Sequence, residues 1–375
     1  MTGPTKLCFV LPSLNGGGAE RAAVKILNAL DEHRWHKSMY LFRREGPYLP
    51  EVRSSIELRS GAAGRSRFSR WNELRRFLAE WRPRLIVSFL SYFTVLTAAR
   101  AAAAGRVVFN QQTPMSPFLA DADYPWRGRW HRTAMSLATR VGYPLADGVI
   151  TTSAGVAEDL ASAFGVPRSL MHVIHNPVDM DAIASAMAEP LPPEYEARWL
   201  RPVIVSAGRL ADAKNYPLLL EALAILRQTV PAKLFILGTG EREASIRALV
   251  SQLELTDAVT LCGFQANPWK FIARADVFAL TSHYEGFGNV LVESLACGVP
   301  VVATSSPGTR EIVTAANGEL VERHDARTFA AALGAVLTDA ARRAQLAAGA
   351  SASAARFALP AIAADYDRVL GELAA

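Results

Sequence analysis

Two carboxylates eight positions apart, Glu285 and Glu293, bracket the run Gly286-Phe287-Gly288-Asn289-Val290, and the chain continues as Ser294-Leu295-Ala296-Cys297-Gly298-Val299-Pro300-Val301-Val302. Gly286 and Gly288 admit backbone turns closed to other residues, so main-chain N–H groups can come close to a ligand. Asn289 is placed to cap the helix that follows, and the positive end of that helix suits an anion such as a diphosphate. Glu285 sits in the loop before the helix, where it can take a polyhydroxyl group. Glu293, about one turn into the helix, can accept from a second diol. The layout is a grip for a phosphorylated sugar.

A second group of residues has matching chemistry. Arg209 and Lys214 lie five apart in Gly208-Arg209-Leu210 and Lys214-Asn215-Tyr216-Pro217, just after an apolar run at Val203 to Ser206. Carboxyl ends of strands are where open α/β sheets bind ligands, and two cations there can neutralise a diphosphate leaving group. Gly16, Gly17 and Gly18 follow the first apolar run and lead into a helical segment, an anion site in principle. The third glycine of a dinucleotide-binding G-x-G-x-x-G falls on Arg21, which speaks against a dehydrogenase. Gly238-Thr239-Gly240 and Gly263-Phe264 follow two further strands. The triplets Asp121-Ala122-Asp123 and Asp179-Met180-Asp181 do not clearly follow strands, and no metal is expected.

The segment from Glu285 to Glu293 resembles the E-x7-E signature of retaining glycosyltransferases of family 4, which have the two-domain GT-B architecture. The resemblance takes in Gly16-Gly17-Gly18-Ala19-Glu20-Arg21 and the pattern from Gly208 to Asn215, and covers essentially the whole length. It implies transfer of a hexose or N-acetylhexosamine from a nucleotide-diphosphate sugar, UDP favoured over GDP, to a glycan acceptor. A lipid-linked acceptor in surface polysaccharide or glycoconjugate assembly is implied with it. By motif match Glu285 contacts the transferred sugar and Glu293 holds the ribose. Arg209, Lys214 and the helix after Gly288 stabilise the departing diphosphate, and Gly16, Gly17 and Gly18 close over it. Gly208, Gly238, Thr239, Phe264, Gly286, Phe287, Gly288, Asn289 and Val290 complete the donor site. Many members carry a histidine in the first domain where this chain reads Phe109-Asn110-Gln111-Gln112-Thr113-Pro114, so Gln111 and Gln112 become the candidates for sugar or acceptor contact. Neither cofactor nor metal is implied. The alternatives are a nucleotide-sugar epimerase of the same fold, which needs further acid/base groups, and a membrane-associated GT-B binding protein without catalysis.

The elements that must position these residues alternate strand and helix. Apolar runs at Leu7 to Leu11, Leu85 to Phe89, Val107 to Phe109 and Gly148 to Thr151 alternate with helical stretches such as Ala19 to Leu30, Phe93 to Ala104 and Gly155 to Phe164. A second series has strands at Val203 to Ser206, Ala232 to Leu237, Val259 to Leu261, Val277 to Leu280 and Val299 to Ala303, with a helix over Pro217 to Gln228. Near-continuous apolar strands alternating with helices argue for parallel sheets covered on both faces. The fold class is therefore α/β, two Rossmann-like domains. The Pro- and Glu-rich stretch 189 to 199 marks the boundary. The expected division is 1–185 for the acceptor, 200–358 for the nucleotide sugar, and a final helix over 359–375 that, by resemblance, returns to the first domain.

At 375 residues, half of them hydrophobic and a fifth charged, the chain reads as a two-domain globular protein. The first residues show no signal-peptide pattern and no run of about eighteen apolar residues occurs, so a cytoplasmic place is expected. Cys8, Cys262 and Cys297 are expected to be buried free thiols. Residues 1 to 190 carry 23 Lys/Arg against 16 Asp/Glu, net +7, and the remainder is net −2. Arg59, Arg65, Arg67, Arg70, Arg75, Arg76, Arg82 and Arg84 face only Glu73 and Glu80. Phe68, Trp71, Leu74, Phe77, Leu78 and Trp81 recur there at helical spacing. Such a helix over 59–84 either lies on an anionic membrane or packs its stripe into the domain, and Trp126 to Arg132 forms a second basic aromatic cluster. No recognised nucleic-acid module surrounds these residues.

Overall fold

The computed structural model describes residues 3–61, 66–121 and 128–375. The chain forms two α/β units. The first takes the chain up to Leu119, the segment ending at Pro177, and Leu359–Ala375; the second takes Val178–Ala358 together with Ala120 and Asp121.

Seven strands build the first unit: β1 (Thr5–Leu11), β2 (Trp35–Leu41), β3 (Glu57–Ser60), β4 (Leu85–Phe89), β5 (Arg106–Gln111), β6 (Gly148–Thr151) and β7 (Met171–Val173). They pair in parallel in the order β3-β2-β1-β4-β5-β6-β7. The helices between them are α1 (Gly18–Ala29), α2 (Arg67–Trp81), α3 (Tyr92–Ala101), α4 (Met115–Ala120), α5 (Arg129–Gly142) and α6 (Ala154–Phe164). Successive strand residues point to opposite faces, and here both faces are apolar. Leu7, Phe9 and Leu11 meet Ala23, Ile26 and Leu27 of α1, while Cys8 and Val10 meet Leu74 and Leu78 of α2 and Val95 of α3.

The second unit opens with α7 (Met180–Ala186) and α8 (Pro193–Glu196) and contains β8 (Val203–Ala207), β9 (Lys233–Leu237), β10 (Val259–Leu261), β11 (Val277–Leu280), β12 (Val301–Thr304) and β13 (Gly318–Val321). Their order is β10-β9-β8-β11-β12-β13, again all parallel. Helices α9 (Tyr216–Leu226), α10 (Glu243–Gln252), α11 (Trp269–Ile272), α12 (Asn289–Ala296), α13 (Ala326–Thr338) and α14 (Ala340–Ala355) cover it. Val203, Val205 and Phe278 pack with Leu291 and Leu295 of α12, and Ile204, Leu234 and Val302 with α9 and α13 on the other face.

The last helix, α15 (Leu359–Ala374), packs in the first unit, with Ile362, Tyr366, Val369 and Leu370 in the core beside β1 and β4. Its carbonyls at Leu373 and Ala374, and the oxygen of Ala375 just beyond it, accept from the guanidinium groups of Arg106 and Arg84 at 2.8–3.0 Å, satisfying groups that a helix end leaves without intrahelical donors. The Trp35 indole donates to Asp367 at 2.5 Å and the Asn110 amide to the Tyr366 hydroxyl at 2.7 Å.

Three differences from the sequence reading have physical causes. Strands β2, β3, β7 and β13 escape a search for apolar runs. In β2 the pattern is broken by buried Lys37, whose ammonium donates to the Leu30 carbonyl, and by Ser38, while β3, β7 and β13 are short edge strands. The chain leaves the first unit at Pro177 rather than 185, because Val178, Ile183 and Leu191 join the second unit's core. Trp199, in the stretch read as a boundary, lies 4.3 Å ring to ring from Phe235 and belongs to that core too.

The stripe on α2 packs inward. Leu74, Leu78 and Trp81 are buried, Trp71 and Phe77 lie against them, and Phe68 alone of the six is largely exposed. Arg59 pairs with Glu57, Arg75 with Asn72, and Arg84 holds α15. Of the two readings of 59–84, the stripe packs into the domain; Arg65 lies outside the described residues. Cys8 and Cys262 are buried free thiols, while Cys297 is only partly buried.

Replacing Tyr366 by Phe leaves the buried Asn110 amide without this acceptor. A loss of about 1–3 kcal/mol is expected, read as a lower urea midpoint at unchanged slope.

Candidate active site

In the second unit the strand order reverses between β8 and β11, and the segments after these two strands leave the sheet there. Such a reversal opens the crevice where α/β sheets bind ligands. The two segments are tied together: the Thr281 hydroxyl donates to the Lys214 carbonyl at 3.1 Å, and the His283 amide to the Ala213 carbonyl at 2.9 Å.

Across that seam Lys214 Nζ lies 2.5 Å from Glu285 Oε1, and Ser282 Oγ donates to the same oxygen at 2.7 Å. Ser282 is fixed in turn, its carbonyl accepting from Thr304 Oγ1 at 2.7 Å. The ion pair is mostly buried, with side-chain exposures of 23% for Lys214 and 13% for Glu285. Removing one partner of such a pair leaves a charge in a poorly solvated place. The two residues had been given separate tasks from the sequence; the structure makes them one unit. Ser282 was not singled out, although its position three residues before Glu285 allows the contact.

Beyond Glu285 the backbone turns at Gly288, whose φ of +104° is left-handed, and α12 begins. Gly288 takes the N-cap position expected for Asn289, which is instead the first helical residue. Gly286, Phe287 and Gly288 are buried, with Asn289 and Val290 partly so. The positive end of α12 thus starts next to Glu285. On α12, Glu293 Oε2 accepts from the Trp269 indole N–H of α11 at 3.1 Å. Trp269 lies 24 residues away in sequence, which is why pattern reading passed over it.

Arg209 is 57% exposed at the end of β8 and lies 4.0 Å from Glu241, a loose contact worth little at a surface. The segments after β8, β9 and β10 are knitted by backbone: Gly208 N–H donates to the Leu237 carbonyl and Gly238 N–H to the Gly263 carbonyl. Gly238 has φ +135°, and a Cβ there would lie 2.0 Å from the Gly208 carbonyl oxygen, so no side chain fits. Thr239 and Phe264 are exposed at the same strand ends. Burial pushes the thiols of Cys262 and Cys297 up to about 12, so both are poor nucleophiles.

The remaining sequence candidates lie in the first unit. Gly17 is the N-cap of α1 and Gly18 its first residue, with Gly16 just before them. The Glu20 side chain folds back over Gly17, where an added Cβ would sit 2.1 Å from Glu20 Oε2, and burial raises the Glu20 carboxyl above its ordinary range. The helix start expected to face a diphosphate is already faced by a carboxylate of its own chain. Gln111 is buried, its amide nitrogen donating to the Thr113 carbonyl and its oxygen accepting from the Tyr143 hydroxyl, both at 2.5 Å. Gln112 donates to Asn110 Oδ1 and accepts from Asn176 at 2.8 Å. Each amide thus has one bond at its nitrogen and one at its oxygen inside the unit. Asp179 is the N-cap of α7, accepting from the Ala182 amide at 3.1 Å. Ala122, Asp123, Trp126 and Arg127 lie outside the described residues, among which no cluster suited to a metal ion occurs.

Residues 16–182 match the family described as Glycosyltransferase Family 4, and residues 192–352 match Glycosyl transferases group 1. The chain belongs to the family 4 glycosyltransferases. Among curated relatives, the N-acetylgalactosamine-N,N'-diacetylbacillosaminyl-diphospho-undecaprenol 4-alpha-N-acetylgalactosaminyltransferase of Campylobacter jejuni is 37% identical over 45% of this chain and 45% of its own. The lipopolysaccharide core biosynthesis glycosyltransferase LpsE of Rhizobium meliloti is 31% identical over 60% of each chain. The aligned regions thus span about half the length of these relatives. The crystal structure of Anabaena HepE in complex with UDP and glucose superposes with a TM-score of 0.80 at 22% identity, covering 98% of this chain and 100% of that one. The fold of this family 4 glycosyltransferase is thus GT-B.

Removing the indole donor while keeping the aromatic ring, as Trp269→Phe, is expected to weaken nucleotide-diphosphate binding by about tenfold, the scale of one hydrogen bond to a charged group. Isothermal titration against UDP reads this; unchanged affinity refutes a positioning role for Trp269.

Proposed function

We propose that this family 4 glycosyltransferase moves a hexose or N-acetylhexosamine from a UDP-sugar to a lipid-linked glycan acceptor in lipopolysaccharide or surface polysaccharide assembly, with retention at the anomeric carbon and without a metal ion. The observation that carries it is the anchoring of Glu285 by Lys214 and Ser282 beside the start of α12, at the strand-order reversal. The printed activities of the two relatives, and the UDP and glucose bound to HepE, support the choice of donor and acceptor class.

The chemistry follows from charge. As the bond from the anomeric carbon to the diphosphate breaks, positive charge grows on the sugar and negative charge on the leaving oxygens. Both protein contacts engage Glu285 Oε1, leaving Oε2 to accept from a sugar hydroxyl and to lie near the developing positive charge. Lys214, Arg209 and the positive end of α12 together offset the charge of the leaving group. Glu293, oriented by Trp269, accepts from the ribose diol. With both amides of Gln111 and Gln112 engaged, no first-domain side chain among the sequence candidates serves as base, and the leaving phosphate oxygen takes the acceptor proton.

A thermal-shift panel of UDP, GDP, ADP and their sugar conjugates is expected to show stabilisation by UDP and one UDP-sugar, lost in Glu293→Ala and in Arg209→Ala. A shift with GDP alone overturns the donor assignment. Glu285→Gln is expected to retain the UDP shift while lowering kcat by about 10²–10³, the scale of removing one charge-stabilising group. Full turnover in Glu285→Gln would overturn the charge-stabilising role of Glu285. Chelator treatment is expected to leave turnover unchanged.

A further inference from the structure

Lys214 has two claims on its charge: it is paired with Glu285 Oε1, and sugar transfer needs it for the leaving diphosphate. Ser282 has one. Its hydroxyl has a single proton to donate, spent on the same Oε1 at 2.7 Å, and it is neutral, so charge growing on a leaving group draws it far less than it draws an ammonium. The backbone of Ser282 is held from behind. Its carbonyl accepts from Thr304 Oγ1 at 2.7 Å, the Thr304 carbonyl accepts from Thr309 Oγ1 at 2.9 Å, and Thr309 Oγ1 in turn accepts from the Ser306 N–H at 2.8 Å. Ser282, Thr304 and Thr309 are each 1% exposed. A row of buried hydroxyls thus runs from the loop after β12 and ends on the carboxylate.

We propose that Ser282, braced by Thr304, is the positioning residue of the transfer step. It keeps Glu285 Oε1 in place, and hence Oε2 toward the sugar, while the Lys214 ammonium is drawn to the charge building on the diphosphate. The inference rests on the sugar-transfer reading above and adds a division of labour to it: the cation serves the leaving group and the hydroxyl serves the carboxylate. A carboxylate that stabilises a developing positive charge must stay within about half an ångström of its productive place. One neutral bond from a buried donor whose backbone is itself fixed meets that demand without a competing task. The contribution falls on rate rather than on nucleotide affinity, because the ribose contact of Glu293 and the diphosphate contacts are made by other groups.

Steady-state release of UDP from UDP-glucose and from UDP-N-acetylglucosamine, with the UDP thermal shift measured beside it, tests this. Ser282→Ala is expected to lower kcat about tenfold, the scale of one hydrogen bond to a charged group, with KM within about twofold of the parent and the UDP shift kept. Thr304→Val is expected to lower kcat by a smaller factor, and Thr304→Ser to restore it. In a Glu285→Gln background Ser282→Ala is expected to cost almost nothing further, because the hydroxyl then has no carboxylate to hold; a merely structural role would cost the same in both backgrounds. Ser282→Cys, of similar volume and with only a weak donor, gives the same comparison should Ser282→Ala fail to fold. Parent-like kcat in folded Ser282→Ala or Ser282→Cys, or an equal loss in the Glu285→Gln background, overturns the inference and leaves the transfer reading standing. A parent that neither shifts with UDP nor releases it overturns both.

Discussion

A parallel sheet whose crossovers run one way from β8 through β9 to β10 and the other way from β11 through β12 to β13 cannot close the space above the strands where the direction changes. That constraint organises the second unit. The segments after β8 and β11 emerge side by side at the gap, and each carries one half of a charge pair that neither could stabilise alone. Lys214 arrives from one side and Glu285 from the other, and the Thr281 and His283 contacts fix their separation. Helix α12 starts at the same place because Gly288 permits a left-handed turn directly after Glu285. Cation, carboxylate and helix end converge as a result of strand order.

How much of this was legible in the sequence depended on range. Glu285, the Gly-Phe-Gly turn and Glu293 are close in the chain, and their chemistry shows in their spacing. The central strands were equally plain, since a strand covered on both faces must be apolar at nearly every position. The edge strands were not. Met171-His172-Val173 and Glu57-Leu58-Arg59-Ser60 contribute too few apolar residues to stand out, and Lys37 conceals β2 because its buried ammonium finds the Leu30 carbonyl, a partner visible only after folding.

Side-chain direction was the other loss. Gln111 and Gln112 sit at a strand end where the resemblance leads one to expect a histidine, and their type suits hydrogen bonding to a sugar. In the fold they belong to a chain of amides and phenols running from Tyr143 through Gln111 and, separately, from Tyr366 through Asn110 and Gln112 to Asn176. The second chain joins α15 to the residue just before the first passage between units. Trp269 shows the converse: an unremarked aromatic in sequence becomes the donor that orients Glu293. The arginine-rich stretch left two readings open for a related reason, because composition reports charge and apolar content but not which face of a helix is covered.

The passages between the units have one more consequence. Val178 donates to the Phe357 carbonyl at 2.8 Å and bridges to Ala358 in parallel, so the outgoing and returning segments lie against each other. The long segment of the second unit therefore begins and ends at neighbouring residues, the geometry that lets a domain-sized piece be exchanged as a cassette. Recombination that replaced residues 178–358 would cut the first unit at a single spot and leave its sheet and α15 untouched. Variants of the Lys214–Glu285 seam and of α12 would then be grafted onto a constant first unit without refolding it.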